Sequence, residues 1–223
     1  MKGRVSEVFE SIQGEGLYLG ERQIFVRFFG CNLNCSFCDT KLDAFCEYEP
    51  GDLLEELKQY QGNYHSISFT GGEPLFQKDF LKEALKLTKV SGFRNYLETN
   101  GTLPDALGEI IEYVDIVAMD LKLPSSTGLN NFWDAHRRFL EVASQKKVFL
   151  KAVICQSTLE KDLGEAIKLI KEVDNSLILV LQPNSYEDYN QVSEKLENFK
   201  DICAKENISA RIICQMHKIV GIK

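Results

Sequence analysis

With 223 residues, 44% hydrophobic and 26% charged, the chain has the balance of one ordinary globular domain with a substantial core. Its net charge of −7 leaves no general basic face for nucleic acid or an anionic membrane surface. The N-terminal MKGRVSEVFESIQGEG has no apolar signal core, and no stretch approaches the roughly 20 apolar residues of a membrane span, so the expected location is the cytoplasm.

In chain order, short apolar, β-branched or aromatic runs predict strands at 24–29 (IFVRFF), 66–70 (SISFT), 95–99 (NYLET), 115–121 (DIVAMDL), 148–154 (VFLKAVI) and 177–182 (LILVLQ). Amphipathic stretches between them predict helices: DLLEELKQY, KDFLKEALKLTK, LPDALGEIIEY, NNFWDAHRRFLEVAS and KDLGEAIKLIKEV. A last helix, roughly Tyr186 to Lys205, precedes a terminal strand around ISARIIC. The alternation predicts an α/β fold, a parallel sheet with helices outside, and one domain over 1–223. The cysteine loop is set at 30–40, and the segment 207–223 is expected to pack near the site.

The unusual residues fall where such strands end. FFGCNLNCSFCDT follows the first strand, TGGEP (70–74) the second and ETNG (98–101) the third; MDLK (119–122) and LQPNS (181–185) close the fourth and sixth. Binding groups in parallel α/β folds collect at the carboxyl ends of strands, so these clusters converge on one rim.

Seven cysteines are an odd count in a chain too large to be a disulfide scaffold. Cys155, Cys203 and Cys214 sit singly in apolar or amphipathic contexts and read as buried small hydrophobes. Cys31, Cys35 and Cys38 form C-x3-C-x2-C. A structural zinc site or an electron-transfer cluster wants four ligands; three thiolates on a [4Fe–4S] cube leave one iron open. Cys46 as a fourth ligand is the alternative, giving a non-enzymatic zinc or iron–sulfur module. Gly30 permits a tight turn there, and Asn32 and Asn34 tolerate irregular dihedrals.

This motif, with Phe37 before its last cysteine, and TGGEP resemble the signatures of the radical S-adenosylmethionine (SAM) superfamily. SIQGEG (11–16), IFVRFFGC (24–31), CDTK (38–41), ETNG, LQPNS and QMHK (215–218) extend the resemblance to the 7-carboxy-7-deazaguanine synthase family of deazapurine (queuosine) biosynthesis. Two departures stand out: many relatives have Ser-Pro-Lys where this chain reads Asp120-Leu121-Lys122, and KLDAFCEYEP lacks a frequent Trp. The resemblance implies a partial (β/α)6 barrel, a [4Fe–4S] cluster on Cys31, Cys35 and Cys38, SAM on the open iron, and Mg²⁺ held by Thr40. It implies a homodimer, an electron donor such as flavodoxin or ferredoxin, and a pterin substrate, 6-carboxy-5,6,7,8-tetrahydropterin. A SAM-derived 5′-deoxyadenosyl radical would start its ring contraction to 7-carboxy-7-deazaguanine with loss of ammonia. A glycyl-radical-enzyme activase would share the cysteine and GGEP elements but act on a protein.

The remaining roles follow residue by residue. Ile12, Gln13, Gly14 and Glu15 form a glycine-punctuated loop suited to a pterin edge, or a simple turn. Arg27 points opposite to Val26 and Phe28, toward a substrate carboxylate or a protein one. Thr70 ends a strand within reach of substrate. Gly72 admits close backbone approach to SAM, and Glu73 is placed for its ammonium. Glu98 faces the SAM ribose or the reacting ring as the catalytic candidate, or caps a loop. Asp120, Leu121, Lys122 and the run Gln182, Pro183, Asn184 and Ser185 match SAM contacts by the family pattern. Thr40 alternatively caps the following turn.

Overall fold

Each strand of the sheet carries two different faces, and the alternation decides where the site lies. In a computed structural model describing residues 1–40 and 42–222, the chain opens with β1 (Gly3–Ile12), β2 (Arg22–Phe28) and β3 (Cys46–Tyr48). It continues through α1 (Pro50–Leu57), β4 (Ser66–Gly71), α2 (Lys78–Val90), β5 (Asn95–Thr99) and α3 (Pro104–Gly108). Then come β6 (Ile116–Asp120), α4 (Pro124–Thr127), α5 (Trp133–Ala143), β7 (Lys147–Ile154) and α6 (Glu160–Val173). β8 (Ile178–Pro183), α7 (Tyr189–Lys205), β9 (Ser209–Ile212) and α8 (Met216–Val220) complete it. Lys41, the last residue of the CDTK motif, and Lys223 lie outside the described residues.

The described strands form one sheet in the order β3-β1-β2-β4-β5-β6-β7-β8-β9. From β2 to β9 every pairing is parallel, so the six expected strand–helix units are present and in sequence order. The sheet is open, since β3 and β9 are its two edges. β1 and β3 are additions to the expected architecture, and both pair antiparallel. Three helical boundaries also differ. LPDALGEIIEY stops as α3 at Gly108 and resumes as a 3-10 turn at Ile111–Tyr113. The expected helix at NNFWDAHRRFLEVAS begins only at Trp133. The last helix starts at Tyr189, because Asn184 Oδ1 accepts from Tyr186 N (3.1 Å) in a turn and Asp188 caps Asn190 N (3.0 Å).

On the outward face, Ile24, Val26, Phe28, Ile67, Phe69, Leu97, Val117, Leu150 and Leu179 are buried beneath the helices in the main core. The inward face is layered. Tyr96, Ile116, Phe149 and Val180 form an apolar floor against which Leu17 and Tyr18 pack, so the loop after β1 covers the lower part of the sheet's inward face. Above that floor the same face carries Arg27, Thr70, Glu98, Asp120, Lys151 and Gln182 around a cavity. The strand period of two therefore separates a dry core from a polar rim using one set of strands.

A single side chain anchors β1 where β2 gives way to the cysteine loop. Gln77, just before α2, accepts from Arg4 N (2.7 Å) and donates to Arg4 O (2.9 Å) and Phe29 O (3.0 Å). Gln77→Ala strands Arg4 N and Phe29 O, since Arg4 O keeps the Phe29 N–H (3.0 Å), and is expected to lower unfolding free energy by about 1–3 kcal/mol, measured by urea titration.

Candidate active site

β2 ends at Phe28 and the chain turns through Gly30, whose φ of +89° is the left-handed region glycine favours. The loop that follows places Cys31, Cys35 and Cys38 on the wall of a cavity of about 710 Å³. All three are free thiols. Cys31 Sγ receives Leu33 N–H at 3.4 Å and Asn100 Nδ2 at 3.9 Å, donors that suit a thiolate ligand. Burial pushes the Cys31 and Cys35 thiols up, while the Lys122 ammonium pulls both down. Among the described residues no three His, Cys, Asp or Glu side chains gather closely enough to hold a single metal ion. Cys46 lies on β3 opposite Val5, outside the cavity lining, and completes no four-thiol centre. Cys155 and Cys203 are buried as expected, and Cys214 is half-buried.

The loop after β4 presses directly on this one. Gly72 N donates to Phe28 O (3.0 Å) and Glu73 N to Gly30 O (2.9 Å); a Cβ on Gly72 would lie 1.9 Å from the Gly30 carbonyl oxygen. Glu73 itself departs from expectation. It is completely buried and does not line the cavity, because its oxygens accept from Leu75 N (3.0 Å), Thr99 Oγ1 (2.9 Å) and Asn100 N (2.8 Å). Its work is internal: it joins the loops after β4 and β5. Asn100 passes the connection on, donating to Asn32 Oδ1 (2.8 Å) inside the cysteine loop.

The inward face of the sheet supplies the charges. Gln13 Nε2 and Ser68 Oγ donate to Glu98 Oε1 (both 2.9 Å), and Thr70 Oγ1 donates to Oε2 (3.2 Å). Burial raises the Glu98 carboxyl despite the opposing field of Lys151. Arg27 Nη1 pairs with Glu7 Oε2 (2.9 Å) and stacks over Phe9 while still bordering the cavity. The protein carboxylate is thus its partner here. Lys122 Nζ lies 2.8 Å from Asp120 Oδ2 and above the Phe37 ring.

Other expected contacts divide. Ile12, Gly14, Glu15, Thr40, Asn184 and Ser185 line the cavity. Gln182 does too, and its Oε1 is buried with no hydrogen-bond partner among the described residues. Leu121 and Pro183 do not reach the wall: Leu121 is core, its N–H donating to Lys151 O (2.7 Å), and Pro183 closes β8. Sequence reasoning missed Lys151, Asp39 and Asn100, all on the cavity wall. Lys151 carried a signal, a lysine at an inward position of an apolar strand. Gln215, Lys218 and His217 from the QMHK motif also face the cavity, and Met216 N donates to Gly14 O (2.9 Å), closing the C-terminal segment over the QGEG loop.

A cavity wall with three thiols, sulfur-directed N–H donors and a glycine pair at backbone contact fits a [4Fe–4S] cluster with SAM beside it. The family profile of the Radical SAM superfamily matches residues 25–196, and the chain belongs to that superfamily. The crystal structure of QueE from Escherichia coli superposes with a TM-score of 0.66 over 95% of this chain and 94% of that one, at 20% identity, a likeness of fold. A curated 7-carboxy-7-deazaguanine synthase of Geobacter sulfurreducens is 35% identical over 97% of this chain and 96% of its own length. One from Archaeoglobus fulgidus is 34% identical over 100% of both chains. Within the superfamily, the chain is a member of the 7-carboxy-7-deazaguanine synthase family.

Two buried groups beside the cysteine loop carry opposite pH linkages. Burial lifts Glu73 from 4.5 to about 7, so folding retains a proton that the unfolded chain loses; this contribution is full below 4.5 and lost as pH rises through 7. Burial lowers His136 from 6.5 to about 4, where it meets the Asn100 carbonyl at 3.2 Å; its contribution is full above 6.5 and lost as pH falls through 4. The two offset each other in the wild type between these limits. Glu73→Gln removes the falling part, so its stability relative to wild type should climb by up to about 3 kcal/mol between pH 4.5 and 7. Urea unfolding at a series of pH values measures it.

Proposed function

We infer that this protein is a radical SAM enzyme that converts 6-carboxy-5,6,7,8-tetrahydropterin to 7-carboxy-7-deazaguanine with loss of ammonia. The observation that carries this reading is one cavity bounded at once by the three-cysteine loop, the Gly72 backbone and the QGEG loop. Its size of about 710 Å³ suits a small substrate beside a cofactor. An activase would need an open mouth for a polypeptide, whereas the C-terminal segment here lies over the QGEG loop.

Cys31, Cys35 and Cys38 would hold a [4Fe–4S] cluster, and Gly72, Lys122 and the rim of β8 would receive SAM. Bound there, cluster and SAM supply one-electron cleavage of the sulfonium and hydrogen abstraction from substrate. The protein's own task is orientation and exclusion of water. Gln182 Oε1, buried and unpartnered among the described residues, offers an acceptor to the cofactor. Gln13 and Glu15 offer donor and acceptor to the pterin edge. Arg27 could trade Glu7 for the substrate carboxylate, since both oxygens of a carboxylate suit its planar fork. Glu98 would face the reacting ring, its carboxyl kept easier to protonate by burial. Thr40 and the adjoining Asp39 offer the oxygen ligands Mg²⁺ prefers, which supports a metal clamp on the substrate carboxylate. The flavodoxin- or ferredoxin-type electron donor and the homodimer rest on family resemblance. No described helix is long and apolar enough to cross a membrane.

Anaerobic incubation of reconstituted protein with SAM, reductant and the carboxytetrahydropterin should yield 7-carboxy-7-deazaguanine; 5′-deoxyadenosine without that product would contradict the substrate assignment. Cys35→Ala should lower both products at least about 1,000-fold while leaving the far-ultraviolet circular dichroism intact, since removing one ligand disables the cluster.

A further inference from the structure

The largest unexplained investment on the cavity wall is Lys151, an ammonium on the inward face of β7 whose side chain is only 13% exposed. Burying such a charge is costly unless carboxylates surround it. Lys151 pairs with Glu15 Oε2 and lies 3.2 Å from Asp120 Oδ1, while Lys122 takes Asp120 Oδ2 at 2.8 Å. Two carboxylates and two ammoniums alternate, Glu15–Lys151–Asp120–Lys122, and their charges balance. Lys151 is the member that joins the QGEG loop to the carboxyl end of β6.

Its effect on Glu15 is geometric. Lys151 holds one oxygen and Gln215 Nε2 holds the other at 2.5 Å, so the carboxylate cannot swing. Each oxygen keeps a further lone pair, and the residue borders the cavity. Two parallel acceptors held in this way match two parallel N–H donors, as in an amidine. A ligand with a carbonyl oxygen in place of one donor would set acceptor against acceptor.

We propose that Lys151 is a positioning residue that gives the cavity its preference for a heterocycle bearing adjacent ring N–H and exocyclic amino donors, by pinning the Glu15 carboxylate. The proposal rests on the pterin reading above and assigns the selectivity of that site to a residue outside the QGEG loop. Without Lys151, Glu15 loses its counter-ion and is left near Asp120, so it turns or takes a proton and ceases to be a paired acceptor.

The test compares 6-carboxy-5,6,7,8-tetrahydropterin with its 2-oxo analogue, in which a carbonyl oxygen replaces the exocyclic amine. Equilibrium binding of both and kcat/KM for the pterin are measured on anaerobically reconstituted wild type, Lys151→Met and Lys151→Arg. Wild type should favour the amine by about 100-fold or more, the range by which a buried polar site rejects a mismatched partner. Lys151→Met should narrow that ratio at least tenfold, and Lys151→Arg should keep it within about threefold of wild type. An unchanged ratio in Lys151→Met, with both ligands weakened equally, would show a merely structural lysine and overturn the proposal. If Lys151→Met does not fold, Lys151→Gln, which keeps a polar end group on a shorter stem and removes the charge, gives the same readout. Wild type that turns over the pterin without preferring the amine overturns this inference alone; wild type that forms no product from it overturns the functional reading instead.

Discussion

The site depends on a carboxylate that never touches it. Glu73 sits beneath the cavity with no exposed surface and gathers Leu75 N, Thr99 Oγ1 and Asn100 N, while its own N–H reaches the Gly30 carbonyl. The strand ends of β2, β4 and β5 are thereby fixed relative to one another. Asn100 extends the tie to Asn32, and Asn32 Nδ2 donates to Thr102 Oγ1 at 2.9 Å. The cysteine loop hangs from this frame, with no helix or strand among the described residues between β2 and β3. Gly72 is the spatial condition for the arrangement, because any side chain there would occupy the position of the Gly30 carbonyl oxygen.

Above the frame, a second constraint is electrostatic. The cavity wall concentrates Glu15, Glu98, Asp120, Lys122 and Lys151, side chains with little solvent exposure. Such a set is stable only when opposite charges alternate and hydrogen bonds satisfy the remainder. Glu15 and Asp120 are held low because their lysine neighbours outweigh burial. Glu98 has no direct ion pair among the described residues and burial raises its carboxyl, so it takes up a proton more readily than Glu15 or Asp120. The environment, and not the residue type, assigns them different roles.

Much of this was legible in the sequence. Strand runs such as IFVRFF and SISFT announce themselves because their outward faces are wholly buried, and TGGEP, ETNG and LQPNS mark the rim because polar clusters follow apolar runs. β1 was not legible. Its ten residues form a partly buried strand near the sheet edge, so VSEVFESI shows no apolar run of the kind that marks the central strands. β3 is three residues long and gives no periodicity to read. For Glu73, Leu121 and Pro183, motif position pointed to the cofactor, but burial turns their side chains away from the cavity; only the fold reveals that. Lys151 was hidden for the opposite reason. One lysine in VFLKAVI reads as noise within a strand until the period of two places it beside Glu15, distant in sequence.

The central claim is that three cysteines of one loop hold an iron–sulfur cube whose fourth iron is left for SAM. Electron paramagnetic resonance of the anaerobically reconstituted, reduced protein, combined with iron analysis, tests it most directly. The account predicts about four irons per chain and a spectrum that changes when SAM is added. A spectrum that SAM leaves unaltered, with every iron bound by protein side chains, would contradict it.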